Sequence, residues 1–223
     1  MRFVLVRHGE PGWWEGGVNR DDPRLTPRGR QQATLAAVAL ADDEFDHVWV
    51  SPKVRAQQTA APFLEITGRS SETLEYLEEI RNPAWEGTDH DAMEIFAAHR
   101  RRNPQEQWQG LVGGESVTDF HTRVTTGLDE SLSALGITRS QESLPTWSKN
   151  TDASVLMFAH AGTNSVVLTH LLGIDPVPWE WERFVTGHAS ISEVRTIEIG
   201  SVSAFSMTTL SATRHLPDHL LTR

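Results

Sequence analysis

The repeated alternation between short apolar runs and longer segments of helical periodicity most constrains how this chain can fold. Most of the short runs are apolar at successive positions, which is typical of strands buried on both faces. They predict strands at residues 3–6, 47–50, 155–159 and 191–199. Helices are predicted between the strands, at residues 26–41, 54–64, 116–135 and 163–172. Strands and helices in this order favour an α/β fold, a three-layer α/β/α sandwich with a largely parallel central sheet.

Two stretches interrupt the alternation. Residues 83–114 are predicted to form a helical excursion, and residues 136–152, which are rich in Ser, Thr and Gln, are predicted to form a surface loop. Neither stretch has enough apolar residues for a separate core. We therefore interpret residues 1–223 as one domain, with the excursion lying over the active site.

The composition excludes several kinds of protein. There is no cysteine, which excludes disulfides, thiolate nucleophiles and cysteine-based metal sites. The formal net charge of -10 argues against nucleic-acid binding, whose affinity depends on basic side chains. No window approaches the roughly 18 consecutive apolar residues of a membrane span, and the amino terminus reads as a strand rather than a cleavable leader. We therefore expect a cytoplasmic protein that has no membrane or nucleic-acid partner.

Cationic and imidazole side chains follow three of the predicted strands. Arg7 and His8 follow the first strand, Arg55 lies in the first helical turn after the second, and His160 follows the third. Ligands of such folds bind beyond the carboxyl ends of the strands, so these side chains are expected to meet there. Forked arginine donors suit the oxygens of a phosphate group. The combination, more than any single residue, predicts an oxyanion pocket.

Six ordered motifs carry a resemblance to a known family. They are RHGE at 7–10, LTPRGRQQA at 25–33, SPKVRAQQTA at 51–60, LEEIRNPAWEG at 77–87, GGES at 113–116 and AHAG at 159–162. In order and spacing the chain resembles the histidine phosphatase superfamily, also called the phosphoglycerate mutase-like family, from end to end. The resemblance implies that fold and a phosphate pocket formed by Arg7, His8, Arg55 and His160, with His8 as the nucleophile.

The resemblance also implies a glutamate that donates a proton to the leaving group. The family's leucine, glutamate and Trp-Glu-Gly spacing assigns this role to Glu79, and Glu78 is the rival assignment. Further contacts to the substrate are expected around the pocket. The residues assigned to them are Glu10, Trp14, Gly162 and His188.

Phosphoryl transfer explains why these residue types are needed. Charge spreads over the equatorial oxygens of the transferred group, and positioned cations stabilise it. With two arginines present, no metal or other cofactor is required. His8 must be neutral to attack, which calls for a backbone acceptor on its other ring nitrogen and for arginines that lower its pKa. Asp89, His90 and Asp91 have ligand-type side chains, but Thr88 and Asp89 are better explained as capping and dipole complements at the start of a helix than as part of a metal site.

The sequence thus predicts a metal-independent phosphomonoesterase that hydrolyses a small phosphorylated metabolite through a phosphohistidine on His8. One alternative is a phosphoglycerate mutase or sugar bisphosphatase of the same superfamily. Residues 80–87 lack the extra basic and aromatic residues that follow the donor glutamate in sugar-phosphate mutases, which favours the phosphatase. A second alternative is a catalytically idle protein that binds a phosphorylated ligand. The sequence leaves the oligomeric state open, with a homodimer among the alternatives.

Overall fold

The computed structural model describes residues 1–89, 91–140 and 144–223. The strands in these residues are β1 (Arg2–Arg7), β2 (Trp14–Glu15), β3 (Val18–Asn19), β4 (His47–Val50), β5 (Glu72–Thr73), β6 (Ile137–Arg139), β7 (Trp147–Lys149), β8 (Ser154–Ala159), β9 (Ile191–Ile199) and β10 (Val202–Ala212). The helices are α1 (Pro27–Leu40), α2 (Val54–Thr67), α3 (Ala92–Arg100), α4 (Val117–Ala134), α5 (Ala161–Leu172) and α6 (Glu180–Arg183). Short 3-10 helices lie at Glu75–Leu77, Pro104–Gln109 and Asp218–Leu220.

The central sheet has the strand order β5-β4-β8-β1-β9-β10-β7-β6 over the described residues. The first four strands of this order run parallel to one another, and the other four join through antiparallel pairs. Strands β2 and β3 form a separate hairpin after the end of β1. The predicted α/β fold around a largely parallel sheet is confirmed, and each of the four strands expected from the sequence is present.

The two faces of the sheet carry separate hydrophobic cores. Phe3 and Leu5 of β1 belong to the core that contains side chains of α4 and α5, such as Phe120 and Leu168. Val4 and Val6 point to the other face, where α1 and α2 supply side chains that include Phe63. Because successive residues of a strand face opposite sides, β1 must be apolar throughout to be buried between both layers of helices.

Capping residues explain where two of the predicted helices begin. Thr26 precedes Pro27, and its hydroxyl accepts a hydrogen bond from the amide of Gly29 at 2.9 Å. Ser116 does the same for Asp119 at the start of α4, also at 2.9 Å. Both satisfy an amide that no helical carbonyl can reach. Among the described helices, none combines the length and apolar character needed to cross a membrane.

The predicted surface loop at residues 136–152 is wrong in part. The described residues of this stretch include β6 and β7, which complete the antiparallel edge of the sheet, while residues 141–143 lie outside the description. Trp147 of β7 is 1% exposed and packs edge-on against Phe205, with ring centroids 5.4 Å apart. Three-residue strands are too short to show a period of two. Because the neighbours of Trp147 are polar, the sequence does not predict a strand there. Strand β10 was likewise not anticipated.

Candidate active site

His8 lies immediately after β1, and its ring is buried, with 3% of the residue exposed. The ring Nδ1 lies 2.8 Å from the carbonyl oxygen of Gly9. A carbonyl oxygen can only accept, so Nδ1 carries the proton and Nε2 keeps its lone pair. This tautomer is the one that a histidine nucleophile needs.

The loop that carries His8 crosses the start of α1 at close range. A Cβ at Gly9 would lie 2.5 Å from the carbonyl oxygen of Gly29, and a Cβ at Gly29 would collide with the carbonyl of Glu10. The amide of Gly9 also donates to the Thr59 hydroxyl at 2.9 Å. Neither position therefore has room for a side chain, and the loop is held against both α1 and α2.

His8 is kept neutral by its surroundings. Burial lowers its pKa well below the usual 6.5, and the guanidinium groups of Arg55 and Arg7 lower the pKa further. Burial thus lowers the pKa of His8 more than the arginines do. A neutral imidazole at pH 7 retains the lone pair with which it can attack phosphorus.

His160 faces the same space from the end of β8. Its ring centroid lies 5.2 Å from that of His8, and the residue is fully buried. Nε2 lies 2.7 Å from the Ser51 hydroxyl, whereas Nδ1 is buried with no hydrogen-bond partner among the described residues. Burial, and next the charge of Arg55, lower the pKa of His160 well below its usual value. When the Ser51 hydroxyl donates to Nε2, the Nδ1 proton is available to an anion.

Arg7 and Arg55 line the pocket beside the two imidazoles. Arg7 Nη1 donates to the carbonyl of Thr186 at 2.6 Å, and Arg55 Nη1 donates to Asp22 Oδ1 at 3.3 Å. Burial lowers the pKa of Arg7 to about 10, which leaves it charged at neutral pH. In the described part of the chain, the Nε atoms of both arginines are buried without a partner. Buried donors of this kind normally have an acceptor, so the site is built for a ligand that supplies one.

Asp22 and Trp13 hold Arg55 from outside the pocket. Both oxygens of Asp22 accept from the amide of Val54 at 3.1 Å, so the same carboxylate orders the start of α2 and its arginine. The guanidinium of Arg55 lies 4.8 Å from the centre of the Trp13 ring. Trp13, and not the neighbouring Trp14, therefore makes the contact at this wall. Trp14 is 53% exposed and pairs with Asn19 in the β2–β3 hairpin, so its substrate contact stays a prediction.

Glu79 reaches the pocket from the segment that follows the 3-10 helix Glu75–Leu77. Its Oε2 accepts from the amide of Gly162 at 2.9 Å, at the start of α5. Of the neighbouring charges, Glu79 has the strongest effect in raising the pKa of Arg7 and of Arg55, so its carboxylate is close to both. A Cβ at Gly162 would collide with the Glu79 carboxylate. The structure thus brings Gly162 against the glutamate.

Glu78 is engaged elsewhere. Its carboxylate forms ion pairs with Lys53 at 2.7 Å and with Arg81 at 2.8 Å. Of the two rival glutamates, Glu79 is the one with the backbone contact to α5 beside His160. This geometry favours Glu79 as the proton donor.

The remaining predicted contacts divide into two groups. His188 lies in the pocket, with Nε2 3.0 Å from Arg7 Nη2 and its ring centroid 5.7 Å from that of His8. The carboxylate of Glu10 instead accepts from the Thr26 hydroxyl at 2.6 Å and from Arg28 at 3.1 Å. Both contacts anchor Glu10 to the start of α1, and a contact with substrate stays a prediction.

Sequence reasoning missed several residues that shape the pocket. Ser51 lies in the SPKVRAQQTA motif, where its place at a strand end could have identified it. Asp22 and Thr186 act through contacts with residues distant in the chain, and a single sequence does not reveal such contacts.

The described residues contain no cluster of three or more histidine, aspartate or glutamate side chains that could hold a metal ion. A helix does begin in this segment, but its cap is Asp91, which accepts from the amide of Glu94 at 3.0 Å, and not Thr88 or Asp89. The Thr88 hydroxyl instead donates to the Trp85 carbonyl at 2.6 Å. His90, between the two aspartates, lies outside the described residues.

Comparisons with known proteins agree with this geometry. A sequence profile of the histidine phosphatase superfamily (branch 1) matches residues 3–204. Phosphoserine phosphatase 1 of Hydrogenobacter thermophilus is 31% identical over 134 residues, covering 58% of this chain and 64% of that protein. A 2,3-bisphosphoglycerate-dependent phosphoglycerate mutase of Rhizobium meliloti is 36% identical over 142 residues, covering 55% and 62%. The chain therefore spans less than two thirds of the length of these two relatives.

A solved structure extends the similarity over almost the whole chain. It is a mycobacterial glucosyl-3-phosphoglycerate phosphatase in complex with VO3, 26% identical, with a TM-score of 0.70. The superposition covers 95% of this chain and 99% of that one.

Proposed function

The chain belongs to the histidine phosphatase superfamily, and we propose that it is a metal-independent phosphomonoesterase acting through a phosphohistidine on His8. Its substrate is a small phosphorylated metabolite. The names of the relatives support this class, since they include phosphatases of phosphoserine and of glucosyl-3-phosphoglycerate. The cytoplasmic location stays a prediction, and so does the homodimer as one of the alternative oligomeric states.

One observation carries the proposal. Of the buried side-chain nitrogens that lack a partner in the described residues, three belong to groups that lie beside His8, whose Nε2 keeps its lone pair. They are Arg7 Nε, Arg55 Nε and His160 Nδ1. A phosphoryl group offers several acceptor oxygens around one electrophilic atom, which matches donors arranged around a nucleophile.

The first step is transfer of the phosphoryl group to the enzyme. The lone pair of His8 Nε2 forms a bond to phosphorus while the bond to the ester oxygen breaks on the opposite side. Glu79 donates its proton to the departing oxygen, so the leaving group departs as an alcohol. The Gly9 carbonyl stabilises the positive charge that the His8 ring gains by keeping its hydrogen bond from Nδ1.

The second step releases phosphate. Glu79, now a carboxylate, takes a proton from water, whose oxygen attacks phosphorus as the bond to His8 Nε2 breaks. The products are inorganic phosphate, neutral His8 and protonated Glu79. Arg7 and Arg55 stabilise the equatorial oxygens in both steps, so the mechanism requires no metal ion.

Trapping the phosphoenzyme tests this mechanism. We expect an aryl phosphate labelled on phosphorus to leave an acid-labile label on the wild-type protein, with turnover unaffected by a chelator. His8→Ala should remove both the label and the turnover, whereas the exposed His219→Ala should keep both. Turnover that is lost with chelator but persists in His8→Ala would contradict the proposal.

The observation in support of the phosphoglycerate mutase alternative is the similarity to the Rhizobium meliloti enzyme. It predicts sustained isomerisation of a phosphoglycerate without net release of phosphate, which the phosphatase does not. A panel of phosphorylated metabolites, monitored for both phosphate and isomer, separates the two. An idle binding protein would instead bind phosphate without turnover of any compound.

A further inference from the structure

We propose that His188 is a positioning residue for Arg7, and that Thr222 fixes the one tautomer of His188 that can perform this role. The inference rests on the proposed function for its kinetic consequences. The hydrogen bonds from which it is argued are observed in the structure and do not depend on the proposed function. No motif of the sequence pointed to Thr222.

The contact between Arg7 and His188 determines where the imidazole carries its proton. Arg7 Nη2 lies 3.0 Å from His188 Nε2. A guanidinium can only donate, so His188 Nε2 must accept with its lone pair. A neutral imidazole has one N–H, which must then be on Nδ1.

Thr222 receives that proton. Its hydroxyl oxygen lies 2.9 Å from His188 Nδ1 and 2.8 Å from Gln32 Nε2. The amide orientation of Gln32 is fixed in turn, because its Oε1 accepts from the amide of Glu10 and its Nε2 also donates to the Leu220 carbonyl. Both lone pairs of Thr222 Oγ1 are thus used by N–H donors. The donor and acceptor of each hydrogen bond in this network are fixed, because a guanidinium and a backbone amide can only donate and a carbonyl can only accept.

The charge of the surroundings supports the same state. His188 is 6% exposed, and burial, followed by the charge of Arg7, lowers its pKa to about 3. A protonated His188 would place a second cation against Arg7 and remove the acceptor. His188 therefore stays neutral where Arg7 is charged.

The consequence concerns the third nitrogen of Arg7. Nη1 is held by the Thr186 carbonyl at 2.6 Å and Nη2 by His188, whereas Nε is buried without a partner in the described residues. Nε is therefore the atom whose N–H a phosphate oxygen would satisfy. With two corners of a planar group fixed, the direction of the third is fixed as well. The segment near Thr222 is thereby coupled to the phosphate site through one imidazole.

The experiment changes Thr222 and leaves every residue of the pocket in place. In Thr222→Val, the Nδ1 proton of His188 loses its acceptor and would be left buried without a partner. We expect nitrogen NMR of the imidazoles to show His188 shifting toward the Nε2–H tautomer, with its signals identified by their absence in His188→Gln. We expect kcat/KM for an aryl phosphate to fall about tenfold and inhibition by inorganic phosphate to weaken to a similar extent, since 1.4 kcal/mol is a factor of ten.

Two further variants complete the test. Thr222→Ser keeps the hydroxyl and should restore both the tautomer and the rates. Thr125→Val removes a hydroxyl that bonds only to carbonyls of α4, at 2.9 Å from His121 and 3.3 Å from Thr122, and should change neither. A Thr222→Val protein with an unchanged tautomer, or with an altered tautomer but unchanged rates and phosphate inhibition, would overturn the proposal. If the wild-type protein has no turnover, the proposed function fails, while the tautomer and phosphate binding still decide this inference.

Discussion

The parallel and antiparallel halves of the sheet make different contributions to the molecule. In the parallel half, β1, β4 and β8 end at one edge, and the side chains after them form the pocket. In the antiparallel half, β10, β7 and β6 supply buried residues such as Phe205 and Trp147 to the core. Parallel strands bring chemically active residues together because all of them end on the same side.

Strand β9 connects the two halves and shows why direction matters. It runs antiparallel to β1, so its first residues lie beside the last residues of β1. The amide of Arg7 donates to the Ser190 carbonyl at 3.3 Å, and the amide of Ala189 donates to the His8 carbonyl at 3.1 Å. The loop before β9 can therefore place His188 against Arg7. The comparison predicts that changes in the parallel half affect turnover and changes in the antiparallel half affect stability.

The largest expected effect is on turnover in His8→Ala. We expect kcat for an aryl phosphate to fall by about 10⁴-fold or more, because removal of a nucleophile abolishes the covalent route. The midpoint of thermal unfolding should not decrease, since the change removes a desolvated polar ring that lies near two cations. A His8→Ala protein that unfolds well below the wild type would show that His8 also stabilises the fold, and would weaken the comparison.

Trp147→Ala should have the opposite profile. A fully buried tryptophan replaced by alanine is expected to lower the free energy of unfolding by about 3–5 kcal/mol. The kcat of the folded protein should be unchanged. Denaturant unfolding and assays well below the transition measure the two quantities. Trp14→Ala is the control for stability, because Trp14 is 53% exposed and its loss should cost little.

Glu79→Gln should lower kcat by about 10²-fold, at the lower end of what general acid–base catalysis contributes. Glutamine keeps an oxygen that can accept from the Gly162 amide, but its side chain has no acidic proton to donate to the leaving group. Glu78→Gln is the matched control and should change kcat by less than about threefold, since the Glu78 carboxylate is held by Lys53 and Arg81 and is not the one that contacts Gly162. A larger effect at Glu78 than at Glu79 would exchange their assignments.

The smallest effect expected is on the pH dependence of stability. The pKa of His188 is lower in the folded protein than in the unfolded chain. As pH falls below 6.5, the unfolded chain therefore binds a proton at this histidine that the folded protein does not bind. The stability of the protein should therefore decrease from pH 6.5 downward, by about 1.4 kcal/mol per pH unit for each such histidine. For His188 the window extends to about pH 3. Urea unfolding of His188→Gln between pH 6.5 and 5 should give a slope lower by that amount, and an unchanged slope would contradict the assignment.

The two halves also differ in how far the sequence predicts them. Three of the four parallel strands, β1, β4 and β8, are mostly apolar runs, and their predicted bounds agree with the structure to within a residue at each end. The two-residue strand β5 is polar and exposed, and the sequence does not predict it. Strands β6 and β7 are too short to show periodicity, and burial of Trp147 depends on partners far away in the chain. The sequence therefore fails where pairing, rather than local pattern, creates the strand.

The same limit applies to the site. His8, Arg7, Arg55 and His160 follow strand ends, and the structure brings them together. Motif spacing favours Glu79 over the adjacent Glu78 but leaves Glu78 as a rival, because which carboxylate reaches α5 depends on where Lys53 and Arg81 lie. Thr222 is recognised only by its contact with His188. The strand ends that carry the pocket residues can be predicted from local apolar runs. The hydrogen bonds that support those residues join distant parts of the chain and cannot.

The crossing of Gly9 and Gly29 has a practical consequence for anyone who redesigns this protein. Each glycine leaves no room for even a methyl group against the backbone that it crosses, so the two codons should be kept fixed in any library. The hairpin that contains Trp14 is exposed, but Gly16 and Gly17 have positive φ angles of 64° and 83°, which disfavour any side chain although nothing crowds them. Randomising the exposed Trp14 and Glu15 would therefore vary the surface next to Trp13 while the loop that carries His8 stays in place.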